Sequence, residues 1–187
     1  MKVAIFGKYY QNDTEPIIND IFVFFNSNNV EMVIESYFLN VLKEKKIIEK
    51  DYKTFSSHSE LDSSFDMLVS IGGDGTILRA AALVRDSGVP ILGINAGRLG
   101  FLATVQKDNI SEFLQLIIDK KYSISKRTLL SLTSSPENES IQELNFALNE
   151  ISVSRKETTS MITIETYLNG EFLHSYWADG LIISTPT

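Results

Sequence analysis

A chain of 187 residues, 43% of them hydrophobic, carries enough apolar side chains for one large packed domain or two small ones. Its formal net charge of −7 leaves no basic stripe to release counterions from a nucleic-acid backbone, which excludes nucleic acid as the main partner but not a local basic pocket for a nucleotide. Cysteine is absent, so disulfides and thiolate metal sites are ruled out; no apolar stretch near the start is long enough for a signal peptide or membrane helix, and the protein is expected in the cytoplasm without a membrane partner.

Lys2-Val3-Ala4-Ile5-Phe6-Gly7 is a short apolar run ending in glycine, the form expected of a parallel strand covered on both faces. Asp13 or Thr14 then suits a helix cap, with Pro16 in the first turn and Ile17, Ile18, Ile21, Phe22 and Phe25 at helical spacing. The cluster Asn26-Ser27-Asn28-Asn29 stops that helix. Val30 to Ile34 reads as a second strand, so a β-α-β unit is in place before residue 40. Residues 37 to 64 give weaker signals: Lys43 to Lys46 reads as a solvated helix face, Ser56 to Ser59 as loop, and His58 as a surface histidine without chemistry.

The apolar run Phe65 to Ile71 leads into Gly72-Gly73-Asp74-Gly75-Thr76, and an alanine-rich helical pattern follows from about Thr76 to Asp86, ended by Gly88. This is a strand, a tight loop and a helix start. Glycines remove the Cβ atoms that would hold a ligand away from the backbone, and the N–H groups with the positive end of a helix suit a phosphate or a sugar-phosphate edge. A carboxylate repels phosphate, so Asp74 reads as a proton acceptor or a binder of hydroxyls beside the anion; the plain alternative is an aspartate that caps the helix. Val89 to Ile94 is a further buried strand leading into a second glycine loop, Asn95 to Leu102, on the same carboxyl edge, where open α/β sheets place their ligand crevice. Asp108 or Asn109 caps a last helix containing Ile110, Phe113, Leu114, Ile117 and Ile118.

Beyond about residue 122 short alternating β segments replace the helical spacing: Leu129 to Thr133, Ala147 to Ser154, Met161 to Leu168, Glu171 to Tyr176 and Leu181 to Ser184. Asn169-Gly170 signals a type I′ hairpin, and Pro136 to Ser140 a polar loop. The expected architecture is an α/β domain over 1–122, Rossmann-like with a mostly parallel open sheet, followed by an antiparallel all-β domain over 123–187. The second domain is expected to be incomplete, because Ile182 to Thr187 runs as a strand into a turn with nothing after it to cover the sheet; the sequence reads as a fragment.

The ordered loops resemble those of NAD kinases. Gly72 to Thr76 alone is shared with diacylglycerol and sphingosine kinases and, loosely, with phosphofructokinases. Three further stretches discriminate: Asn95 to Leu102 resembles the family's second glycine loop, Asn149-Glu150 its Asn-Glu pair, and Asp179 to Thr187 the opening of its Thr-Pro-rich signature. The resemblance spans essentially the whole chain, while the family continues beyond it.

The resemblance implies phosphoryl transfer from ATP, or inorganic polyphosphate, to the 2′-hydroxyl of the adenosine ribose of NAD, assisted by Mg²⁺ or another divalent cation held mainly by donor phosphates, in a homodimer or homotetramer. It implies Asp74 as the base, Asp74 and Gly75 against the ribose, Arg79 near the phosphates and Phe101 beside the adenine, although a phenylalanine there also suits a core. Asn149 and Glu150 would bond adenine or the second ribose. Asp179 would face the nicotinamide end, from a neighbouring subunit's site, unless Asp179-Gly180 is simply a hairpin. Ser160, Trp177 and Thr187 complete the implied contacts. Two of them depart from the family pattern: Trp177 stands where many members are basic, and Ser160 where others carry a longer polar side chain. His174 reads as structural. The competing functions are a diacylglycerol-type lipid kinase and a non-catalytic dinucleotide-binding fragment.

Overall fold

A computed structural model describes residues 1–9, 14–96, 100–103, 105, 110–156 and 159–186. The chain divides into two compact units, Met1–Ile124 and Ser125–Thr187.

The first unit is built on five strands, β1 (Lys2–Gly7), β2 (Glu31–Glu35), β3 (Lys53–Phe55), β4 (Met67–Gly72) and β5 (Ile91–Asn95). They lie in the order β3-β2-β1-β4-β5 and every neighbouring pair is parallel. Successive side chains of a strand point to opposite faces, and both faces are covered. On one, Val3, Ile5, Ile34, Val69 and Ile71 pack with Ile18, Ile21 and Phe25 of α1 (Thr14–Ser27), Phe38 and Leu42 of α2 (Ser36–Glu44), and Leu114 and Ile117 of α4 (Ile110–Ile118). On the other, Ala4, Val33 and Leu68 meet Ala80 and Val84 of α3 (Asp74–Val84), with Phe55, Leu61 and Phe65 closing the edge. Every residue of β4 is buried, as befits an interior strand of a sheet covered on both faces.

Local chemistry sets the helix ends. The asparagine cluster does terminate α1: Asn29 takes a left-handed φ of 53°, and Val30 N–H reaches back to the Phe25 carbonyl. The expected helix start rests partly on Asp13, which lies outside the described residues, as do Asp108 and Asn109 before α4. α2 begins directly after β2, because the Glu35 carboxylate accepts from the N–H groups of Tyr37 (3.0 Å) and Phe38 (2.8 Å). Lys43 belongs to the last turn of α2, whereas Lys45 and Lys46 form its exit turn and not a continuing helix face. α3 ends earlier than Gly88 predicts, since Arg85 leaves the helix with φ 48° and Gly88 only turns the chain toward β5. His58 opens a short 3₁₀ turn where a plain loop is expected.

The second unit contains three antiparallel pairs: β6 (Leu130–Ser131) with β7 (Phe146–Ala147), β8 (Glu150–Ser154) with β11 (Gly180–Ser184), and β9 (Ile162–Leu168) with β10 (Glu171–Ala178). Asn169 (φ 54°) and Gly170 (φ 89°) make the tight turn between β9 and β10. Two expectations need correcting. A short helix, α5 (Glu139–Glu143), stands beyond Pro136, started by the Asn138 side chain accepting from Ser140 and Ile141 N–H. The single strand expected over Ala147 to Ser154 is broken at Leu148-Asn149 into β7 and β8.

Close packing of α2 on β1 depends on Gly7, where an added Cβ would lie 2.6 Å from Cζ of the buried Phe38 ring. Gly7→Ala is expected to destabilise the protein by about 1–3 kcal/mol, the usual cost of overpacking a filled core. Urea denaturation checks this, and an unchanged midpoint would show that the ring has room to move.

Candidate active site

β4 ends at the position in the strand order where the chain's progress across the sheet reverses, between β1 and β4, and the loops after β1, β4 and β5 leave from that one edge. The edge is tied across: Lys8 N–H donates to the Ile71 carbonyl (3.0 Å) and Ala96 N–H to the Gly72 carbonyl (3.2 Å). At Gly72 a Cβ would overlap the Thr76 side chain, so the turn out of β4 requires glycine. Gly73 then takes the cap position of α3 in extended geometry, and Asp74 falls in the helix's first turn. Asp74 is therefore not the helix cap.

Its carboxylate is used elsewhere. Oδ2 accepts from Phe101 N–H (2.8 Å), and Oδ1 accepts from Leu102 N–H (3.0 Å) and Ala103 N–H (3.2 Å). These donors belong to the second glycine loop, which leaves β5 at Asn95 and returns to pair Val105 with Ile94. The half-buried carboxylate thus clasps the backbone of a loop nearly thirty residues away. The Phe101 N–H above all, with those of Leu102 and Ala103, holds the Asp74 carboxyl below the usual carboxylate range, against an opposing contribution from burial. At Gly100 a Cβ would run into the same carboxylate, so glycine there is a condition of the clasp. Gly97, Arg98 and Leu99 lie outside the described residues.

The remaining glycines behave differently. A Cβ at Gly73 or Gly75 would meet nothing within 4 Å, so neither is required by packing. Their bare backbone faces open space beside the Asp74 carboxylate and the first turn of α3. Arg79 is exposed on the same helix, and the Phe101 side chain is 96% exposed, which removes it from the core.

In the second unit, Asn149 sits at the break between β7 and β8, and Glu150 opens β8, paired with Ser184. Thr185 fastens this corner: its N–H donates to the Asn149 carbonyl (2.9 Å), and its hydroxyl lies 3.3 Å from the carbonyls of Leu148 and Asn149. Asp179-Gly180 is not a hairpin, because β10 pairs with β9 and β11 with β8. Asp179 instead forms an ion pair with Arg155 (2.9 Å), and Arg155 also approaches the Ser160 carbonyl (3.4 Å), so Ser160 and Asp179 are brought together by a residue that carried no sequence signal. Trp177 is exposed near the end of β10 opposite Thr163, and His174 lies within β10, edge-on to Tyr176. Thr187 lies outside the described residues.

The clasp has a pH signature. An unfolded aspartate titrates near ~3.9, and a folded pKa below that makes the carboxylate stabilising above this value, with the contribution lost as the pH falls through the lower folded pKa. Urea midpoints of wild type and Asp74→Asn should therefore differ most near neutral pH and converge toward acid. A difference that stayed constant with pH would show that the charge does not hold the loop.

Comparison with known proteins places this geometry in a family. Residues 3–122 match the model of the ATP-NAD kinase N-terminal domain, and residues 148–187 that of the ATP-NAD kinase C-terminal domain. The chain is 73% identical over 187 residues to the NAD kinase of Flavobacterium johnsoniae, 48% to that of Christiangramia forsetii and 38% to that of Bacteroides fragilis. Each match covers 100% of this chain and 63–64% of the relative, so the chain spans less than two thirds of these proteins' length. Among solved structures, yeast NADH kinase complexed with NADH superimposes with a TM-score of 0.80 at 21% identity, over 98% of this chain and 57% of that one. An NAD kinase from Archaeoglobus fulgidus in complex with ATP gives 0.69 at 24% identity, over 98% and 60%. These two likenesses establish the fold, a parallel α/β unit followed by antiparallel strands, and the family models establish the lineage: the chain belongs to the ATP-NAD kinase family.

Proposed function

We propose that the protein transfers a phosphoryl group from ATP, or from inorganic polyphosphate, to the 2′-hydroxyl of the adenosine ribose of NAD, giving NADP. What supports this most directly is the carboxylate of Asp74 at the start of α3, beside two glycines where an added Cβ would meet no described residue within 4 Å. Residues 1–122 serve as the nucleotide-binding domain and 123–187 as the first part of the NAD-binding domain. The 2′ oxygen forms its bond to phosphorus as the bond to the ADP or polyphosphate leaving group breaks, and the hydroxyl proton passes to Asp74. A carboxylate held by three N–H donors is a weak base. In a loose phosphoryl-transfer transition state the nucleophile's proton is lost late, so an ionised acceptor at the right place matters more than a strong one. Its contribution should therefore lie at the lower end of the range for general bases, about 10²-fold.

Gly75 lets the ribose approach the backbone, Arg79 reaches the phosphates, and the exposed Phe101 ring stacks on adenine. Asn149 and Glu150 bond adenine or the second ribose. Asp179 serves the nicotinamide side, and Ser160, Trp177 and Thr187 complete the contacts to the nucleotides, with Trp177 offering stacking where many family members offer charge. Among the described residues no three His, Cys, Asp or Glu side chains stand together as a metal cage. A divalent cation, Mg²⁺ or another, would enter as a companion of the donor phosphates and neutralise their charge. The assembly is a homodimer or homotetramer in the cytoplasm; among the described residues no helix is long and apolar enough to cross a membrane.

NADP formation by the full-length protein, with ATP and polyphosphate compared, tests the reading. Phosphorylation of diacylglycerol with NAD left untouched would overturn it. Asp74→Asn should lower kcat about 10²-fold, and parental turnover would remove the proton acceptor. Because the Asp74 carboxyl titrates below the usual range, the rate should not fall through this group between pH 7 and about 5. Gly75→Ala should leave the denaturation midpoint unchanged or slightly raised, while raising KM for NAD about tenfold.

A further inference from the structure

The second unit joins its implied ligand-facing residues through Arg155, and we infer that Arg155 is the positioning residue that sets Asp179 for the dinucleotide. Arg155 follows the last residue of β8. Its N–H donates to the Asp179 carbonyl (3.0 Å), extending the β8–β11 ladder one step beyond the Gly180–Ser154 pair. From that fixed backbone its guanidinium turns back to the same residue: Nη1 lies 2.9 Å from Oδ1 of Asp179 and 3.4 Å from the carbonyl of Ser160. One side chain thus pins three segments, the end of β8, the approach to β9 and the junction of β10 with β11.

The exposures of the two partners are unequal. The Arg155 side chain is 28% exposed and that of Asp179 70%, so the carboxylate is held in place without being covered. A pair this open to water adds little to folding, because solvent screens it. What it supplies is direction: a short aspartate at a strand junction has several rotamers, and a guanidinium anchored by its own backbone bond selects one. The junction also has no slack, since at Gly180 a Cβ would lie 2.5 Å from the Val153 carbonyl. A carboxylate fixed in this way presents acceptor oxygens only, which suits an N–H donor such as a primary carboxamide.

This inference rests on the proposed reading, in which Asp179 serves the nicotinamide end, and the test separates the two. In the full-length protein, steady-state kinetics with NAD and ATP varied separately are compared for wild type, Arg155→Ala, Arg155→Lys, Asp179→Asn and the double variant Arg155→Ala/Asp179→Asn. Wild type that makes no NADP sinks the proposed reading itself. With wild type active, Arg155→Ala should raise KM for NAD about tenfold and leave KM for ATP within about twofold. Arg155→Lys should recover part of the loss, and the double variant should be no worse than Asp179→Asn alone. An unchanged KM for NAD, equal rises for both substrates, or fully additive losses in the double variant would overturn the assignment. Should Arg155→Ala fail to fold, Arg155→Gln with the same Asp179→Asn cycle decides on the same criteria.

Discussion

The geometry of the first unit's active edge depends on one carboxylate accepting three backbone N–H groups. A loop that leaves a strand and returns ten residues later must find partners for the amides in its middle, because unpaired ones are costly once partly withdrawn from water. Asp74 supplies them for Phe101, Leu102 and Ala103. Hydrogen bonds to a charged acceptor are stronger than those between neutral groups, and three of them meet on this one carboxylate. The clasp also fixes Asp74 itself. The aspartate enters α3 in its first turn and is held from outside by Phe101, Leu102 and Ala103, so the helix start orients the carboxylate from one side and these three amides from the other. The same bonds that make the group a weak base make it a well-placed one.

The glycines at this edge divide by what surrounds them. Gly72, Gly93 and Gly100 are demanded by the fold, since a Cβ would overlap Thr76, Ile77 and the Asp74 carboxylate respectively. Among the described residues, nothing within 4 Å of an added Cβ demands glycine at Gly73 or Gly75. A sequence cannot separate these two kinds, because a glycine needed for packing and one needed for a ligand are the same letter. Their surroundings separate them, and the pair left unexplained by packing stands next to the carboxylate and the helix N-terminus.

Much of the parallel sheet was legible from residues alone. β1, β4 and β5 are apolar runs ended by Gly or Asn, α1 and α4 show helical spacing, and the asparagines after Phe25 stop α1 in the left-handed turn their side chains tolerate. What escaped has identifiable causes. α2 follows β2 with no loop between them, and its cap is the Glu35 side chain, a residue type seldom read as a helix start. α3 leaves its helical path at Arg85, which takes a positive φ of 48° that its residue type does not advertise. Phe101 reads equally well as core or platform until the Asp74 clasp is seen to hold its N–H while the ring stays in solvent. Asp179-Gly180 has the composition of a hairpin, and only the pairing of β10 with β9 shows that it joins separate pairs.

Arg155 escaped because its partners are backbone carbonyls and one carboxylate distant in sequence. Among the described residues, every fully buried apolar side chain belongs to the first unit; in the second, Val153, Tyr167, Phe172, Leu173, Trp177 and Ile182 are exposed. The chain spans less than two thirds of its relatives' length, so these exposures describe this stretch alone; what it does show is the strand ladders and the polar ties between them. Thr185 fixes the Asn149 corner, and Arg155 fixes Asp179 together with the approach to β9. Both ties are made largely to backbone carbonyls, which every residue possesses. No spacing rule marks such a donor in a sequence, although it fixes where the recognisable motif residues stand.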